Sequence, residues 1–353
     1  MQPEISETLQ SLFTKRFGYP AASIEALPPS GSSRSYFRMS GANSGCMGAY
    51  HEDVRENAAF LSFSAFFKQQ GLPVPDIYAV SDNQKGYLLE DLGNTTLLQF
   101  LEKEEHHKGI SPAIRQAYQN AIEWLVGFQI SGTRGFDYSV CYPRAAFDAQ
   151  SMAWDMNYFK YYFLRFSGIG FDEQLLEEDF RNFGSYLLET DTHYFLYRDF
   201  QSRNIMLRGE EIYFIDYQGG RKGALQYDIA SILFEAKTAL PEAFREEMLE
   251  WYIEKLQAFV PVNQAAFKRY YYGYALIRTM QAMGAYGYRG IFEKKPLFLE
   301  SIPPALAHLR WLLEKAPWPK GLNELRGACE RLVASDRLVK MAQESLHERS
   351  KPL

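Results

Sequence analysis

One short stretch of the chain holds three oxygen-bearing side chains at spacings that suit metal-assisted chemistry. Asp199 and Asn204 lie five residues apart, and Asp216 follows two apolar, β-prone runs, 205–207 and 212–215, which a polar turn separates. This pattern predicts a β-hairpin. Pairing the two runs brings Asn204 and Asp216 to the open end of the hairpin, where residues on opposite strands are about 5 Å apart.

Carboxylate and amide oxygens are the ligands that Mg²⁺ prefers, so we interpret Asn204 and Asp216 as candidate metal ligands. Asp199 would face the same place and accept a proton from an attacking hydroxyl, which makes phosphoryl transfer the expected chemistry. Within the same loop, Gln201 is a candidate to orient the acceptor, and Arg203 is a candidate to neutralise charge on the transferred group. The alternatives are a surface hairpin with polar ends, and a structural role for Gln201 and Arg203 in holding the loop.

The composition restricts the class of protein that carries this stretch. The 353 residues are 46% hydrophobic and 23% charged, enough apolar side chain for a sizeable core, which excludes disorder as the main character. The formal charge of −5 leaves no basic field for a phosphate backbone, so nucleic acid is not an expected partner. No apolar run approaches the ~20 residues of a membrane span, no apolar signal core opens the sequence, and the three cysteines lie far apart. We therefore expect a cytoplasmic protein with no membrane association.

Periodicity predicts two lobes of unequal size. Residues 3–17 and 53–69 have helical spacing, whereas the segments 27–50, 77–80 and 87–89 read as strands joined by turns. Beyond residue 93 helical patterns dominate, and we predict helices near 112–131, 149–166, 173–190, 227–238, 241–258, 263–283, 300–316 and 322–346. The expected fold class is α+β, with a β-rich N-terminal lobe over 1–92, a mainly helical lobe over 93–353, and a ligand cleft between them.

The motifs resemble those of a known superfamily. Arg198-Asp199, followed by Asn204 and then by Phe214-Ile215-Asp216, resembles the catalytic and metal-binding loops of kinase-like phosphotransferases, nearest the aminoglycoside phosphotransferase and choline kinase superfamily. The run RDFQSRNIML…IDYQGG…YDIASIL is most similar to bacterial N-acetylmuramate/N-acetylglucosamine anomeric sugar kinases. The resemblance covers nearly the whole chain. The segment SGSSRSYFR resembles the nucleotide-loop hairpin of these kinases, and LLEDLGNTTL resembles their hinge.

The resemblance implies a protein-kinase-like fold, ATP and Mg²⁺ as cofactors, and a small-molecule hydroxyl acceptor. It implies that Asp199 is the catalytic base and that Asn204 and Asp216 bind Mg²⁺. It also implies that Asp228 steadies the catalytic loop, although an ordinary cap for a helix beginning at Ile229 is the alternative. The residues implied in nucleotide binding are Gly31, Ser32, Ser33 and Arg34 over the phosphates, and Glu90, Asp91 and Leu92 beside adenine.

Three further residues, on two predicted helices, are considered for acceptor binding. Asp155 falls in the helix that faces the acceptor in this superfamily, and it would bind sugar hydroxyls or an ammonium group. The alternative is a solvated carboxylate on a helix with an aromatic core stripe. Arg278 and Gln281 lie three residues apart on one helical face, which suits either the pocket floor or a buried pairing with an acidic group.

The sequence departs from the superfamily pattern at two places. Tyr197 precedes Arg198-Asp199 where a histidine is usual, in a position that mainly packs and hydrogen-bonds. The strand 46–50 carries no phosphate-holding lysine. Arg34 and Arg38 are candidates to supply the missing positive charge, with solvent exposure as the alternative, and Glu56, the usual partner of that lysine, is expected to be solvated.

The expected function is therefore an ATP- and Mg²⁺-dependent kinase that phosphorylates a hydroxyl of an amino sugar or a related cell-wall sugar. An aminoglycoside or choline-type kinase is the alternative within the same chemistry. A nucleotide-binding pseudokinase with a regulatory role is the alternative from a different class, and the missing lysine is its support.

Overall fold

A computed structural model of the chain describes residues 2–28 and 34–349. Gly31, Ser32 and Ser33, which the resemblance assigns to the phosphates, lie outside the described residues. Of the helices that are described, none is long and apolar enough to cross a membrane.

The N-terminal lobe is built on one antiparallel sheet. Its strands follow the spatial order β1-β2-β3-β5-β4. Alternation along β2 sets its two faces, since Phe37 and Met39 are buried while Arg38 between them points to the other side. The five strands are β1 Ser23–Ala26, β2 Ser35–Ser40, β3 Gly45–Tyr50, β4 Ile77–Val80 and β5 Gly86–Leu89.

Two helices cover the two faces of this sheet. α1, Pro3–Phe17, buries Leu9 and Phe13 against one face in a cluster of its own. α2, Val54–Gln69, begins at the N-cap Asp53, packs on the other face, and belongs to the large core that continues into the second lobe. The rings of Phe63 and Phe67 on α2 meet Phe195 from that second lobe, so α2 is anchored to both lobes.

Helices dominate the rest of the chain. The long helix α9 packs against α5, α7 and α11, and most of its residues from Tyr271 to Gly284 are buried. The helices of this lobe are α3 Leu97–Lys103, α4 Pro112–Ser131, α5 Ala149–Phe159, α6 Glu173–Leu187, α7 Gln226–Leu233, α8 Glu242–Gln257, α9 Gln264–Ala285, α10 Pro296–Leu299, α11 Ile302–Lys315, α12 Asn323–Ala334 and α13 Arg337–Arg349.

Four short strands lie on the face of the helical lobe that meets the sheet. They are β6 Tyr194–Leu196, β7 Ile205–Arg208, β8 Glu211–Phe214 and β9 Arg221–Gly223. β7 and β8 form the predicted hairpin, with Ile205 opposite Phe214 and Arg208 opposite Glu211. β6 pairs with β9, and this second pairing was not predicted because its two strands are only three residues long and far apart in sequence.

The predicted α+β fold class, with a small sheet lobe and a larger helical lobe, is confirmed, and the division at 92/93 stays a prediction. The prediction of one helix over 322–346 is wrong, because α12 and α13 are separate. The side chain of Ser335 accepts a hydrogen bond from the backbone of Arg337 between them, and such local bonds compete with a continuous helix. The short helix α3 was not predicted, although Thr96 and Gln99 form a capping box there.

Candidate active site

Asp199, Asn204 and Asp216 meet in one place. The Nδ2 group of Asn204 donates hydrogen bonds to the backbone carbonyl of Asp199 at 2.9 Å and to Oδ2 of Asp216 at 3.2 Å. All three residues line a cleft of about 810 Å³ whose other wall is the N-terminal sheet. The convergence expected from the hairpin pattern is therefore present in the structure.

The backbone around these residues is held in an unusual conformation. The amide of Ile215 donates to the carbonyl of Asn204 at 3.0 Å, which extends the hairpin pairing up to Asp216. Asp216 has φ +69° and Arg198, just before Asp199, has φ +81°. Non-glycine residues rarely adopt positive φ, and such strain concentrates at functional sites. The loop that carries Asp199 and the loop that carries Asp216 therefore each contain a strained residue with positive φ.

The two neighbouring carboxylates, Asp199 and Asp216, create a local charge that favours binding of a cation. Burial raises the pKa of Asp216, and the negative charge of Asp199 raises it further, while the hydrogen bond from Gln218 at 2.7 Å and the charges of Arg203 and Arg34 oppose the rise. Among the described residues no three His, Cys, Asp or Glu side chains form a metal cluster. The amide oxygen of Asn204 with the carboxylate of Asp216 is a hard-oxygen donor set, which suits Mg²⁺.

Two carboxylates, one on α7 and one just after it, hold the two ends of the loop that carries Asp199. Asp228 accepts from the backbone amides of Tyr197 at 2.8 Å and Arg198 at 3.0 Å, and Glu235 just beyond the helix accepts from the amide of Ser202 at 2.8 Å. Burial raises the pKa of Asp228 to about 7. Since α7 already begins at Gln226, the alternative that Asp228 caps this helix is wrong. Sequence reasoning missed Glu235, which carries no motif of its own.

Tyr197 occupies the position where the superfamily usually has histidine. Its ring is fully buried, and its hydroxyl donates to the carbonyl of Ile215 at 2.7 Å. This bond ties the strand that leads into Asp199 to the residue that precedes Asp216. The expected packing and hydrogen-bonding element is therefore present with tyrosine in place of histidine.

An arginine–glutamate ion pair lies in the N-terminal lobe beside the cleft. Nη2 of Arg34 is 3.0 Å from Oε1 of Glu56, and the positive charge of Arg34 partly opposes the rise in the pKa of Asp216 in the opposite lobe. The expectation that Glu56 is solvated is wrong. Arg38 is not a free side chain in solvent either, because its guanidinium donates hydrogen bonds of 2.7 and 3.0 Å to the carboxylate of Asp91.

The predicted hinge residues Glu90, Asp91 and Leu92 all line the cleft. One lobe holds Asp91 through Arg38 on β2, and the other holds Glu90 through Arg208 on β7, at 2.6 Å. These pairs occupy the two carboxylates. The backbone amide of Glu90 is also engaged, since it donates to the carbonyl of Asp76 at 2.9 Å.

The remaining candidates are not among the residues that line the cleft. Both carboxylate oxygens of Asp155 accept from Arg198 at 2.7 Å, which accounts for its burial and replaces the expected solvated or acceptor-binding role. Arg278 donates to Ser231 at 3.0 Å and to Gln281, and it does not line the cleft. Gln201 is half-buried away from the cleft wall.

The helical-lobe wall of the cleft is rich in arginine. We define the C-terminal wall as the cleft-lining residues from Tyr142 to Phe298. Asp199 and Asp216 are its carboxylates among the described residues, and its guanidinium groups are those of Arg198, Arg203, Arg221 and Arg289. Sequence reasoning identified Arg203 and missed Arg221, although the run Gln218-Gly219-Gly220-Arg221 directly follows the metal-binding candidate.

Comparisons with known proteins agree with this arrangement. The sequence matches the profile of the phosphotransferase enzyme family over residues 26–261. N-acetylmuramate/N-acetylglucosamine kinases of Pseudomonas putida and Neisseria meningitidis are 24% and 26% identical to this chain. The alignments cover 87% and 88% of this chain, and 88% and 90% of those proteins.

Solved structures show the same fold at low sequence identity. Choline kinase from Cryptosporidium parvum superposes with a TM-score of 0.59 at 13% identity, covering 91% of this chain and 98% of that one. A spectinomycin phosphotransferase in complex with ADP and spectinomycin superposes with a TM-score of 0.54 at 11% identity, covering 98% of this chain and 99% of that one.

Proposed function

The chain belongs to the phosphotransferase enzyme family, and from that premise we propose that it is an ATP- and Mg²⁺-dependent kinase that phosphorylates a hydroxyl of an amino sugar. The observation that carries the proposal is the convergence of Asp199, Asn204 and Asp216 in one cleft between the two lobes. A purely structural hairpin does not require two carboxylates side by side, because their mutual repulsion costs stability.

The sheet side of the cleft would hold the nucleotide. The segment Glu90 to Leu92 lines the cleft, and its backbone would receive adenine, since arginines from both lobes hold the side chains of Glu90 and Asp91. Arg34 would supply the positive charge for the phosphates that the superfamily takes from lysine. Its pairing with Glu56, which lines the cleft, fixes the guanidinium beside the cleft.

The chemical step needs one proton acceptor. The acceptor hydroxyl forms a bond to the γ-phosphorus, the bond from that phosphorus to the β,γ-bridging oxygen breaks, and the hydroxyl proton passes to the Asp199 carboxylate as ADP leaves. A base so placed is worth roughly 10²–10⁴ in rate. Arg203 lines the cleft and is exposed, so its guanidinium is available to neutralise charge on the transferred group.

Asn204 and Asp216 would hold Mg²⁺, which would offset the negative charge of the nucleotide phosphates. Gln218 and Asn204 orient the Asp216 carboxylate through hydrogen bonds to its two oxygens. Asp228 and Glu235 fix the backbone of the catalytic loop beneath it, so they act as positioning residues.

The class of acceptor rests on two arguments. The curated relatives are named for N-acetylated amino sugars, and they align over most of both chains. A cationic aminoglycoside or choline would need several carboxylates, whereas the carboxylates of the C-terminal wall, among the described residues, are only Asp199 and Asp216. Of its four arginines, Arg198 is already neutralised by Asp155, and Arg203, Arg221 and Arg289 remain. The charges of the wall therefore favour a neutral or acidic sugar.

The argument for a non-catalytic pseudokinase was the missing lysine. Arg34 and Glu56 provide a charge pair beside the cleft, which weakens that argument. We therefore propose the active enzyme.

The proposal is tested with purified protein, ATP, Mg²⁺ and a panel of acceptors. The panel contains N-acetylglucosamine, N-acetylmuramate, kanamycin and choline, and ADP release is followed with each. We expect acceptor-dependent ADP release with an amino sugar, and mass spectrometry and ³¹P NMR then identify the phosphorylated hydroxyl. Turnover confined to kanamycin or choline would overturn the sugar class, and nucleotide binding without turnover on any acceptor would favour the regulatory protein.

A further inference from the structure

The structure contains a buried arginine on the cleft wall to which neither sequence reasoning nor the resemblance gave a role. Arg221 is the first residue of β9 and is only 7% exposed, yet it lines the cleft. Its Nε group donates to the backbone carbonyl of Gly219 at 3.0 Å, and this bond fixes the direction of the side chain.

The charge of Arg221 is poorly compensated. Among the described residues it has no carboxylate within 4.0 Å, and the nearby Asp155 already has both oxygens engaged by Arg198. Burial lowers the pKa of Arg221, and repulsion from Arg198 lowers it further. Removing a charge from water without a partner is costly, so a buried arginine in this position is suited to an anion that arrives from the cleft.

The location of Arg221 relates it to the reacting groups. Gly219, which holds its Nε group, lies against the proposed base, because a Cβ added there would be 3.9 Å from Oδ2 of Asp199. Arg221 and the proposed base both line the helical-lobe wall of the cleft, whereas the proposed nucleotide segment Glu90 to Leu92 belongs to the other lobe. A hydroxyl acceptor has to lie beside the base, so it would lie near Arg221.

We propose that Arg221 binds an acidic group of the acceptor and so selects hydroxyl acceptors that carry a carboxylate or a phosphate. A guanidinium pairs with either group through two parallel hydrogen bonds, which also fixes the orientation of the ligand. This inference rests on the proposed kinase function, and it narrows the acceptor from amino sugars in general to acidic amino sugars.

A different role for the same charge leads to a different result. An Arg221 that stabilised the transferred phosphoryl group would act on every acceptor alike and lower kcat for all of them. An Arg221 that selects the acceptor acts only where the acceptor carries the anion. The comparison of an acidic acceptor with a neutral one therefore separates the two roles.

The experiment uses the full chain and two acceptors that differ in one acidic substituent, N-acetylmuramate and N-acetylglucosamine, with N-acetylglucosamine 6-phosphate as the phosphate counterpart. For Arg221→Gln we expect kcat/KM for the acidic acceptor to fall roughly 10- to 100-fold, the range for a lost charged hydrogen bond, and kcat/KM for the neutral one to change less than about threefold. The acidic sugar that loses most identifies carboxylate or phosphate as the preferred group. An equal fall on all acceptors, or no fall on any, would overturn the proposal.

Lys222→Gln is the matched control, because the adjacent Lys222 places its ammonium over the ring of Tyr138 instead of in the cleft. Thermal unfolding shows whether each variant folds as the parent does. If the parent phosphorylates none of these sugars, the proposed function fails but the inference is still decided by binding. In that case D-lactate and inorganic phosphate are titrated into protein saturated with ADP and Mg²⁺, and stabilisation that Arg221→Gln abolishes supports the inference, whereas equal stabilisation of both proteins contradicts it.

Discussion

The guanidinium of Arg34 lies 3.0 Å from the carboxylate of Glu56. Arg34, just before β2, therefore pairs with the glutamate that a lysine on β3 pairs with in the superfamily pattern. Arg34 is nine-tenths buried or more. Its guanidinium carbon lies 5.7 Å from the centroid of the Phe60 ring, and this contact further restricts the side chain. A cation fixed in this way needs no further ordering when nucleotide binds.

We expect Arg34→Met to raise KM for ATP roughly 10- to 100-fold while KM for the acceptor changes little, because a charged contact to the phosphates is lost. Arg34→Lys should restore part of the affinity. Initial rates at varied ATP measure both.

Lys68→Met is the control for that measurement, since Lys68 lies on the same helix as Glu56 but is exposed and pairs with Asp76. It should change KM for ATP less than about twofold. An Arg34→Met enzyme with the parent's KM for ATP would remove Arg34 from the nucleotide site.

The bond from the Ser202 amide to Glu235 predicts a catalytic effect at a residue outside the cleft. We expect Glu235→Ala to lower kcat roughly tenfold or more with KM for ATP nearly unchanged, because a buried N–H in the catalytic loop loses its acceptor. Glu235→Gln keeps an acceptor oxygen and should retain most of kcat. Glu242→Ala, exposed on α8, serves as the control. Similar losses in the Gln and Ala variants would mean that the hydrogen bond is not what matters.

The raised pKa of Asp216 predicts a magnesium-dependent acid limb in the pH profile. Only the ionised carboxylate binds a metal ion, so kcat/KM should fall as the pH drops through this pKa, above the ordinary Asp value of about 3.9. Because Mg²⁺ competes with the proton, a tenfold higher Mg²⁺ concentration should move the limb to lower pH. pH profiles of kcat/KM at two Mg²⁺ concentrations measure the shift. An acid limb that does not move with the Mg²⁺ concentration would mean that the limb does not report metal binding.

The buried Asp228 predicts a pH dependence of stability. Its folded pKa of about 7 exceeds the unfolded one, so its contribution to stability is complete below the unfolded pKa and is lost as the pH rises to about 7. Asp228→Asn removes this titration and also weakens one backbone hydrogen bond at every pH. The difference in Tm between parent and variant should therefore be larger at pH 5 than at pH 8. A difference independent of pH would mean that Asp228 is ionised throughout.

The sequence predicted the parts of the site that depend on local pattern. The hairpin 205–214 follows from two β-prone runs and a polar turn, and its pairing determines where Asn204 and Asp216 lie. The packing and hydrogen-bonding role of Tyr197 was expected from the resemblance, and its burial and its bond to the carbonyl of Ile215 agree with it.

The parts that were missed depend on residues that are distant in sequence. Asp155 meets Arg198 across 43 positions, and Glu235 meets Ser202 across 33, so no local period reveals either pair. The pairing of Arg34 with Glu56 also needed the sheet register and the placement of α2. Burial and charge partners decide such roles, and both become visible only after folding.

The central claim is that Asp199 takes the proton from the acceptor hydroxyl, and Asp199→Asn tests it most directly. Asparagine keeps the size of the side chain and removes the base, so acceptor-dependent ADP release should fall roughly 10²- to 10⁴-fold while stabilisation by ATP and Mg²⁺ persists. Turnover of the Asp199→Asn enzyme within a few fold of the parent would contradict the account.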